Sequence, residues 1–338
     1  MQTIKIKRIT KVIAISLLIV LTFTLLKDEY SRYLLSNANY GMQVIINNNS
    51  ISSSNSANPN SGITLYNGSS MFRQGIDINE AITKCGTNTY VLSYNGNQPF
   101  LEYYEIKYLL DNNVKIEHLY LDMYVFAMQS DPWIHDNKIF LDTDLSFKIQ
   151  VWNRLNTYGK TDFNNFWEMF VTSGNDELLT WPISYPMINH RFYNGGNTTE
   201  TSSAEKKYLD SSSTSILTSQ AFNSEQVTYL EMMIHLCNKN KIDLTFVETP
   251  KYTTIGSNVN YIELMKRYSN ILDKYKIKYI INSSTASACY DFSSAQHIIE
   301  FDNKNPDYYI DNIHLSSNGR REFTKKLLAF QFFSKDKN

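Results

Sequence analysis

Short apolar runs of strand type alternate with helical segments from Ile63 onward, and this alternation constrains the fold more than any other feature of the sequence. Strands that alternate with helices form a parallel sheet with both faces covered, so we expect an α/β protein. The predicted strands lie at 63–66, 89–94, 116–124, 242–247 and 277–281. The predicted helices begin near Asp77 and cover 100–111, 224–239, 260–275 and 317–333.

Residues that directly follow the strands are the first candidates for a functional site, because ligands bind at the carboxyl ends of parallel strands. These residues are rich in Asn, Gly and Ser after the first two strands. They lie at 67–70, 95–98, 124–126, 248–250 and in the stretch before the last helix.

Residues 125–222 interrupt the alternation and hold all four tryptophans, among them Trp133, Trp167 and Trp181. We expect this insertion to stand at the same sheet edge as a lid or groove wall. Trp133 and Trp181 are then candidates for contact with carbohydrate or an acyl chain, and simple aromatic packing is the alternative.

A basic and then apolar N-terminus predicts a membrane anchor. The apolar run 12–26 follows four cations, Lys5, Lys7, Arg8 and Lys11. We expect a cytoplasmic tail at 1–8, an uncleaved single-pass anchor at 9–26, a Ser/Asn-rich spacer at 27–61 and an extracytoplasmic domain at 62–338. A cleaved signal peptide is the alternative.

Composition excludes several classes of function. Lys and Arg total 32 and Asp and Glu 33, for a net charge of −1, which excludes a broadly basic nucleic-acid binder. No phosphate-binding loop, dinucleotide fingerprint or zinc spacing occurs, so we expect no cofactor and no metal. The three cysteines, Cys85, Cys237 and Cys289, are odd in number and widely spaced. They suggest a host that rarely uses disulfides, such as a Gram-positive bacterium.

Two short motifs carry the chemistry. Ser70 follows the first strand through Gly68, which lets its hydroxyl stand at the start of a helix. Asp311 stands three residues before His314, just ahead of the last helix. An Asp at this spacing can hydrogen-bond the imidazole, whose other nitrogen then serves as a general base for a hydroxyl. Both motifs lie at one edge of the predicted sheet, which predicts a Ser-His-Asp triad.

With Asn67-Gly68-Ser69-Ser70 and Asp311-Asn312-Ile313-His314, the sequence resembles the first and last blocks of the SGNH (GDSL-like) hydrolase superfamily. In plan it is most similar to membrane-anchored DltD-like and alginate O-acetylation-like proteins. The resemblance implies a flavodoxin-like three-layer fold. It also implies that Ser70 is the nucleophile, His314 the base, Asp311 its orienting residue and Gly96 an oxyanion donor.

The sequence departs from that family after the third strand. It reads Leu121-Asp122-Met123-Tyr124 where the family has Gly-x-Asn-Asp, so the usual oxyanion-binding Asn is missing. Asn95, Asn97 or Gln98 are candidate replacements. Arg73 and Glu248 are further candidates for substrate contact.

These features together predict an anchored extracytoplasmic serine O-acyltransferase or esterase. The acyl group would be acetyl or D-alanyl, and the acceptor a cell-envelope polymer or exported polysaccharide. A membrane-bound O-acyltransferase is the expected partner, and nucleic acid is not. The alternative is a non-catalytic SGNH-like scaffold that binds polysaccharide or assembles an envelope-modification complex.

Overall fold

A six-stranded, all-parallel sheet organises the protein, with the strand order β2-β1-β3-β4-β5-β6. The computed structural model describes residues 10–16, 18, 19, 22, 41–55, 62–86, 88–134, 139–140, 143–172, 221–288 and 297–333. The strands are β1 Ile63–Gly68, β2 Thr89–Ser93, β3 Ile116–Asp122, β4 Asp243–Val247, β5 Lys278–Asn282 and β6 His297–Ile299. The predicted parallel sheet is therefore confirmed, and its order matches a flavodoxin-like layout.

Helices connect the strands and are numbered here in chain order. They are α1 Met42–Asn55, α2 Ser70–Gly75, α3 Ile78–Cys85, α4 Pro99–Asp111, α5 Leu145–Thr157, α6 Phe163–Phe166, α7 Ser224–Lys239, α8 Thr253–Gly256, α9 Val259–Lys274, α10 Ser283–Ala288 and α11 Ser317–Phe333. Single 3₁₀ turns cover Ala127–Gln129 and Pro306–Tyr308, and a π-helical turn covers Trp167–Thr172.

The sheet separates two apolar cores because consecutive strand residues point to opposite faces. Leu65 and Ile281 belong to the larger core, which α4, α7 and α9 cover, whereas their neighbours Tyr66 and Ile280 belong to the smaller one. The smaller core lies under α2, α3 and α11. This gives the three-layer arrangement expected from the alternation of elements.

Part of the predicted spacer at 27–61 is helical. Helix α1 covers Met42–Asn55, and Met42, Val44 and Ile45 at its start are buried. Gln43 also donates from Nε2 to the hydroxyl of Tyr108 on α4, at 3.2 Å. These three side chains dock the start of α1, and Ile46 packs beside them against the core, while most of the later residues of the helix are polar.

The predicted anchor at 9–26 is described only at residues 10–16, 18, 19 and 22, which are helical. Within the described part of the chain, no helix is both long and apolar enough to cross a membrane.

The described half of the insertion covers helices rather than the sheet edge. Phe147 of α5 packs edge-on against Tyr108 of α4, at a centroid distance of 5.3 Å. Arg154 of α5 donates from Nε to the hydroxyl of Tyr229 on α7, at 2.6 Å. Helix α5 therefore forms an outer layer over α4 and α7, and the expected lid is not found in this half. Residues 173–220 lie outside the described residues.

Close backbone contact holds the start of α11 against the turn at Pro306–Tyr308. A Cβ on Gly319 would lie 2.1 Å from the carbonyl oxygen of Tyr308, which already accepts from the Ser316 amide at 2.9 Å. Gly319 thus permits the approach that closes the loop between Tyr308 and α11.

We expect Gly319→Ala to lower the free energy of unfolding by about 1–3 kcal/mol, because the added methyl group displaces the Tyr308 backbone. Helix propensity alone would give the opposite sign. Asn318→Ala is the control, since Asn318 is exposed in the same turn and should change the free energy by less than about 0.5 kcal/mol. Urea denaturation of both variants checks this, and equal stabilities would contradict it.

Candidate active site

Ser70 stands at the start of α2, directly beyond the carboxyl end of β1. Ser69 is the N-cap, and its hydroxyl accepts a hydrogen bond from the Met71 amide. An extended N-cap residue followed at once by the helix lets the Ser70 side chain project away from the sheet. Ser69 is fully buried and Ser70 is partly exposed, so of the two adjacent serines only Ser70 faces the solvent side.

Asp122, the last residue of β3, holds this turn in place. One carboxylate oxygen of Asp122 accepts both the Ser69 amide, at 3.1 Å, and the Ser69 hydroxyl. The backbones approach so closely that a Cβ on Gly68 would lie 2.7 Å from the Asp122 Cβ. Strands β1 and β3 are neighbours at the point where the strand order reverses, which is where ligand sites form in such sheets.

The loop before α11 carries Asp311 and His314. An isolated antiparallel bridge between Tyr309 and Leu315 closes it, and the Ile310 amide donates to the His314 carbonyl at 3.0 Å. Oδ1 of Asp311 accepts the amides of Ile313 and His314, each at 2.8 Å. The Asp-x-x-His spacing is therefore a tight turn capped by its own Asp.

The three predicted catalytic side chains lie in one hydrogen-bonded chain. Ser70 Oγ is 2.9 Å from His314 Nε2, and His314 Nδ1 is 2.7 Å from Asp311 Oδ2. Because an ionised carboxylate only accepts, Nδ1 carries the hydrogen and Nε2 is free to accept from the Ser70 hydroxyl. Burial raises the pKa of Asp311, but its hydrogen bond and charge interaction with His314 outweigh burial and leave this pKa below its usual value.

A buried polar network under the site shows that Asn97 does not face the cleft. Its side-chain amide donates to both oxygens of Glu105, at 3.1 and 3.2 Å, and Asn67 also donates to Glu105, at 2.5 Å. All three side chains are at most 1% exposed. The expectation that Asn97 donates to an oxyanion is therefore corrected, since both its donor directions serve Glu105.

Asn95 and Gly96 lie in the loop after β2, and Arg73 lies on α2 beside that loop. Gly96 has φ +60, a left-handed conformation that glycine adopts without strain. Arg73 donates from Nη2 to Oδ1 of Asn95, at 2.5 Å, on the exposed surface. This bond links α2 to the loop after β2, so Arg73 holds the loop that carries Gly96.

Glu248 is buried beneath the site instead of facing it. Its Oε1 accepts from the hydroxyls of Tyr261, at 2.8 Å, and Thr285, at 2.6 Å, and its Oε2 accepts from the Asn282 amide, at 2.8 Å. The side chain is 2% exposed. Substrate contact by Glu248 is therefore corrected to a structural role that joins β4, α9 and α10.

Lys251 is a buried cation that sequence reasoning did not single out. Its Nζ donates to the Thr249 carbonyl at 2.6 Å, and the residue is 2% exposed. Burial lowers the pKa of Lys251 to about 8, although the charges of Asp122, Glu248 and Asp311 oppose that change. In return, Lys251 lowers the pKa of Asp122, which burial raises. A lysine four residues after an apolar strand was the only sequence signal.

Trp133 is half-buried against the larger core, and its amide donates to Oε1 of Gln98 at 3.1 Å. Gln98 is buried and also accepts from Gln226 of α7, at 2.8 Å. Gln98 therefore ties the start of the insertion to α7 and is not an oxyanion donor. Trp181 lies outside the described residues. No cluster of His, Cys, Asp or Glu suited to a metal occurs in the part of the chain that the structure describes.

Comparisons with known proteins leave the family open. No protein-family model and no curated protein matches the chain. Seven chains of solved structures match. Among them is one described as "a putative platelet activating factor from Streptococcus pneumonia", with 11% identity and a TM-score of 0.34. The alignment covers 94% of this chain and 98% of that one. A likeness of this size carries no inference about activity.

We expect Glu105→Gln to lower the free energy of unfolding by about 1–3 kcal/mol, because its new NH₂ group would face the amide donors of Asn67 and Asn97. Glu102 on the same helix is the matched control. Burial and then the charges of Asp122 and Glu105 raise its pKa well above the usual value, so Glu102→Gln replaces a carboxyl that favours its neutral form. Denaturant melts should show the larger loss for Glu105→Gln, and the reverse order would contradict the network.

The lowered pKa of Lys251 predicts a pH-dependent stability. From about pH 8 to pH 10.5 the unfolded chain retains a proton that the native lysine has released. The contribution of this group to the free energy of unfolding therefore rises with pH across that window and is lowest below it. Denaturant melts across the window should show wild type gaining stability relative to Lys251→Met. A constant difference between the two proteins would contradict this assignment.

Proposed function

We propose that this protein is a serine acyl-transfer enzyme of the SGNH type, with Ser70 as its nucleophile. The observation that carries the proposal is the unbroken chain of hydrogen bonds from Ser70 Oγ through His314 to Asp311. Both donor–acceptor distances are short enough for proton transfer. Ser70 is also partly exposed at the carboxyl edge of the sheet, where a substrate can reach it.

The reaction proceeds in two half-steps. His314 Nε2 takes the Ser70 proton as Oγ attacks the acyl carbonyl carbon, and the imidazolium then gives that proton to the leaving alcohol. An acyl-Ser70 ester remains. An acceptor hydroxyl then loses its proton to His314 and attacks this ester, and the proton returns to Ser70 Oγ as the new ester leaves. Asp311 keeps His314 in the required tautomer throughout.

The oxyanion of each tetrahedral intermediate needs backbone donors, because the family's Asn is missing. Ser70 is the first residue of α2, so its own N–H has no acceptor within the helix. The Gly96 N–H is the second proposed donor. Asp122 occupies the end of β3, where it holds Ser69 and offers only acceptor oxygens. Loss of one donor lowers the rate by about 100- to 1000-fold, so a slow enzyme is expected.

The setting of the reaction rests on the N-terminal sequence and on the family resemblance. We propose a single-pass anchor at 9–26 with the α/β domain outside the membrane. The proposed acyl group is acetyl or D-alanyl and the acceptor a cell-envelope polymer or exported polysaccharide. A membrane-bound O-acyltransferase would supply the acyl group. With water as acceptor, the same residues would act as an esterase.

The missing oxyanion Asn favours one alternative, a non-catalytic scaffold that binds polysaccharide. The two functions differ in whether Ser70 is reactive. A scaffold needs no activated hydroxyl, whereas the enzyme does.

Covalent labelling by a fluorophosphonate probe tests the proposal. We expect wild type to be labelled on the peptide that contains Ser70, and Ser70→Ala to remain unlabelled. Asp311→Asn should be labelled about 10³-fold or more slowly, because His314 loses its orienting acceptor. Ser146→Ala, at an exposed serine of α5, is the control and should label like wild type.

Labelling that persists in Ser70→Ala would contradict the assignment of the nucleophile. Absence of labelling in wild type, together with full function of Ser70→Ala in cells, would contradict the enzyme proposal and support the non-catalytic scaffold.

A further inference from the structure

A second concave site lies at the same edge of the sheet, beyond β5 and β6. It is a cavity of about 570 Å³ between the loop after β4, helix α10 and the turn that follows β6. Its volume falls within the range of small-ligand sites. Most of its lining side chains carry a hydroxyl or an amide, namely Thr253, Ser257, Ser283, Ser284, Ser287 and Asn303.

Asn303 lines this cavity and carries a buried acceptor. Its Nδ2 donates to Ser284 Oγ at 2.6 Å, which fixes the orientation of the amide. Its Oδ1 has no hydrogen-bond partner among the described residues, although the side chain is only 6% exposed. Leaving such an acceptor unpaired is costly, and Asn303 places it directly behind the lining of the cavity.

The charges at the rim of the cavity balance. Asp302 and Lys304 are both exposed, flank Asn303 and carry opposite charges. Oδ1 of Asp302 also accepts the Lys304 amide at 3.1 Å, so the Asp302 side chain holds the turn. Hydroxyl and amide groups set among apolar lining atoms such as those of Ile262 and Phe301, with no net charge, match the hydroxyls and apolar face of a neutral sugar better than an anionic ligand.

The cavity shares a wall with the catalytic loop. The Tyr252 amide donates to the Asn312 carbonyl, two residues before His314, at 3.0 Å. The next amide, of Thr253, donates to the Asn303 carbonyl at 3.1 Å. Ser70 follows β1 whereas α10 follows β5, and three strand spacings separate these strands. The cavity therefore lies about 14 Å along the sheet edge from the nucleophile.

We propose that this cavity binds a neutral sugar unit of the acceptor polysaccharide, at a distance from the unit that receives the acyl group. The inference rests on the proposed acyl transfer to a polymer and names where the polymer is held. Binding of a remote, non-reacting part of a substrate contributes to orienting the reacting part. Extended oligosaccharides should therefore bind better than monosaccharides.

Binding measured without catalysis tests this site. Full-length Ser70→Ala protein in detergent micelles is titrated calorimetrically with cellohexaose, maltohexaose, chitohexaose and a glycerol-phosphate hexamer. We expect at least one hexasaccharide to bind. In the same background, Ser287→Trp and Ser257→Trp fill the cavity from opposite walls at exposed positions. Each should weaken that binding by about ten-fold or more, a loss of about 1.4 kcal/mol. Ser146→Trp, far from the cavity lining, is the control and should bind normally.

Two further outcomes overturn the inference. One is the absence of hexasaccharide binding, or binding of the glycerol-phosphate hexamer alone. The other is unchanged binding in whichever tryptophan variant keeps the wild-type melting temperature. The test protein lacks the Ser70 hydroxyl, so this binding test does not depend on catalysis. Binding that the cavity variants weaken would support the sugar site even if fluorophosphonate labelling contradicted the proposed acyl transfer.

Discussion

The bond between Asp122 and Ser69 is the contact on which the arrangement of the site depends. It joins the ends of β1 and β3 at the point where the strand order reverses, and it holds both the amide and the hydroxyl of Ser69, the N-cap of α2. The direction of α2 sets where Ser70 points. Because Asp122 is buried, its charge requires compensation, and the nearby Lys251 and the Ser69 hydrogen bonds provide it.

Much of the fold was predictable because its five longer strands are mainly apolar runs that alternate with helical segments. The sixth strand, His297–Ile299, has three residues and begins with His. It is too short to show the alternation of apolar and polar residues that identifies a strand. Helix α10 consists of Ser, Thr and Ala only and has no apolar stripe. Helix α1 docks mainly through the apolar residues at its start, and the Ser and Asn residues around them hide this short apolar group in the sequence.

Some residues of the candidate site were likewise predictable from the sequence, and others were not. Ser70, Asp311 and His314 could be singled out because each belongs to a local motif beside a strand or helix end. The positions of Asn97 and Glu248 were not predictable, because their partners come from other elements: Glu105 of α4 for Asn97, and Tyr261 of α9 for Glu248. One signal was available. A carboxylate at the end of an apolar strand, as at Asp122 and just after Val247, indicates a buried acceptor with partners nearby.

The central claim is that Ser70 forms an ester with an acyl group. Rapid mixing of the wild-type protein with p-nitrophenyl acetate, acid quenching and mass spectrometry of the digested protein test it most directly. We expect one acetyl group on the peptide that contains Ser70, formed in the first turnover and absent in Ser70→Ala. Acetylation that is missing from this peptide, or that is equal in Ser70→Ala, would contradict it.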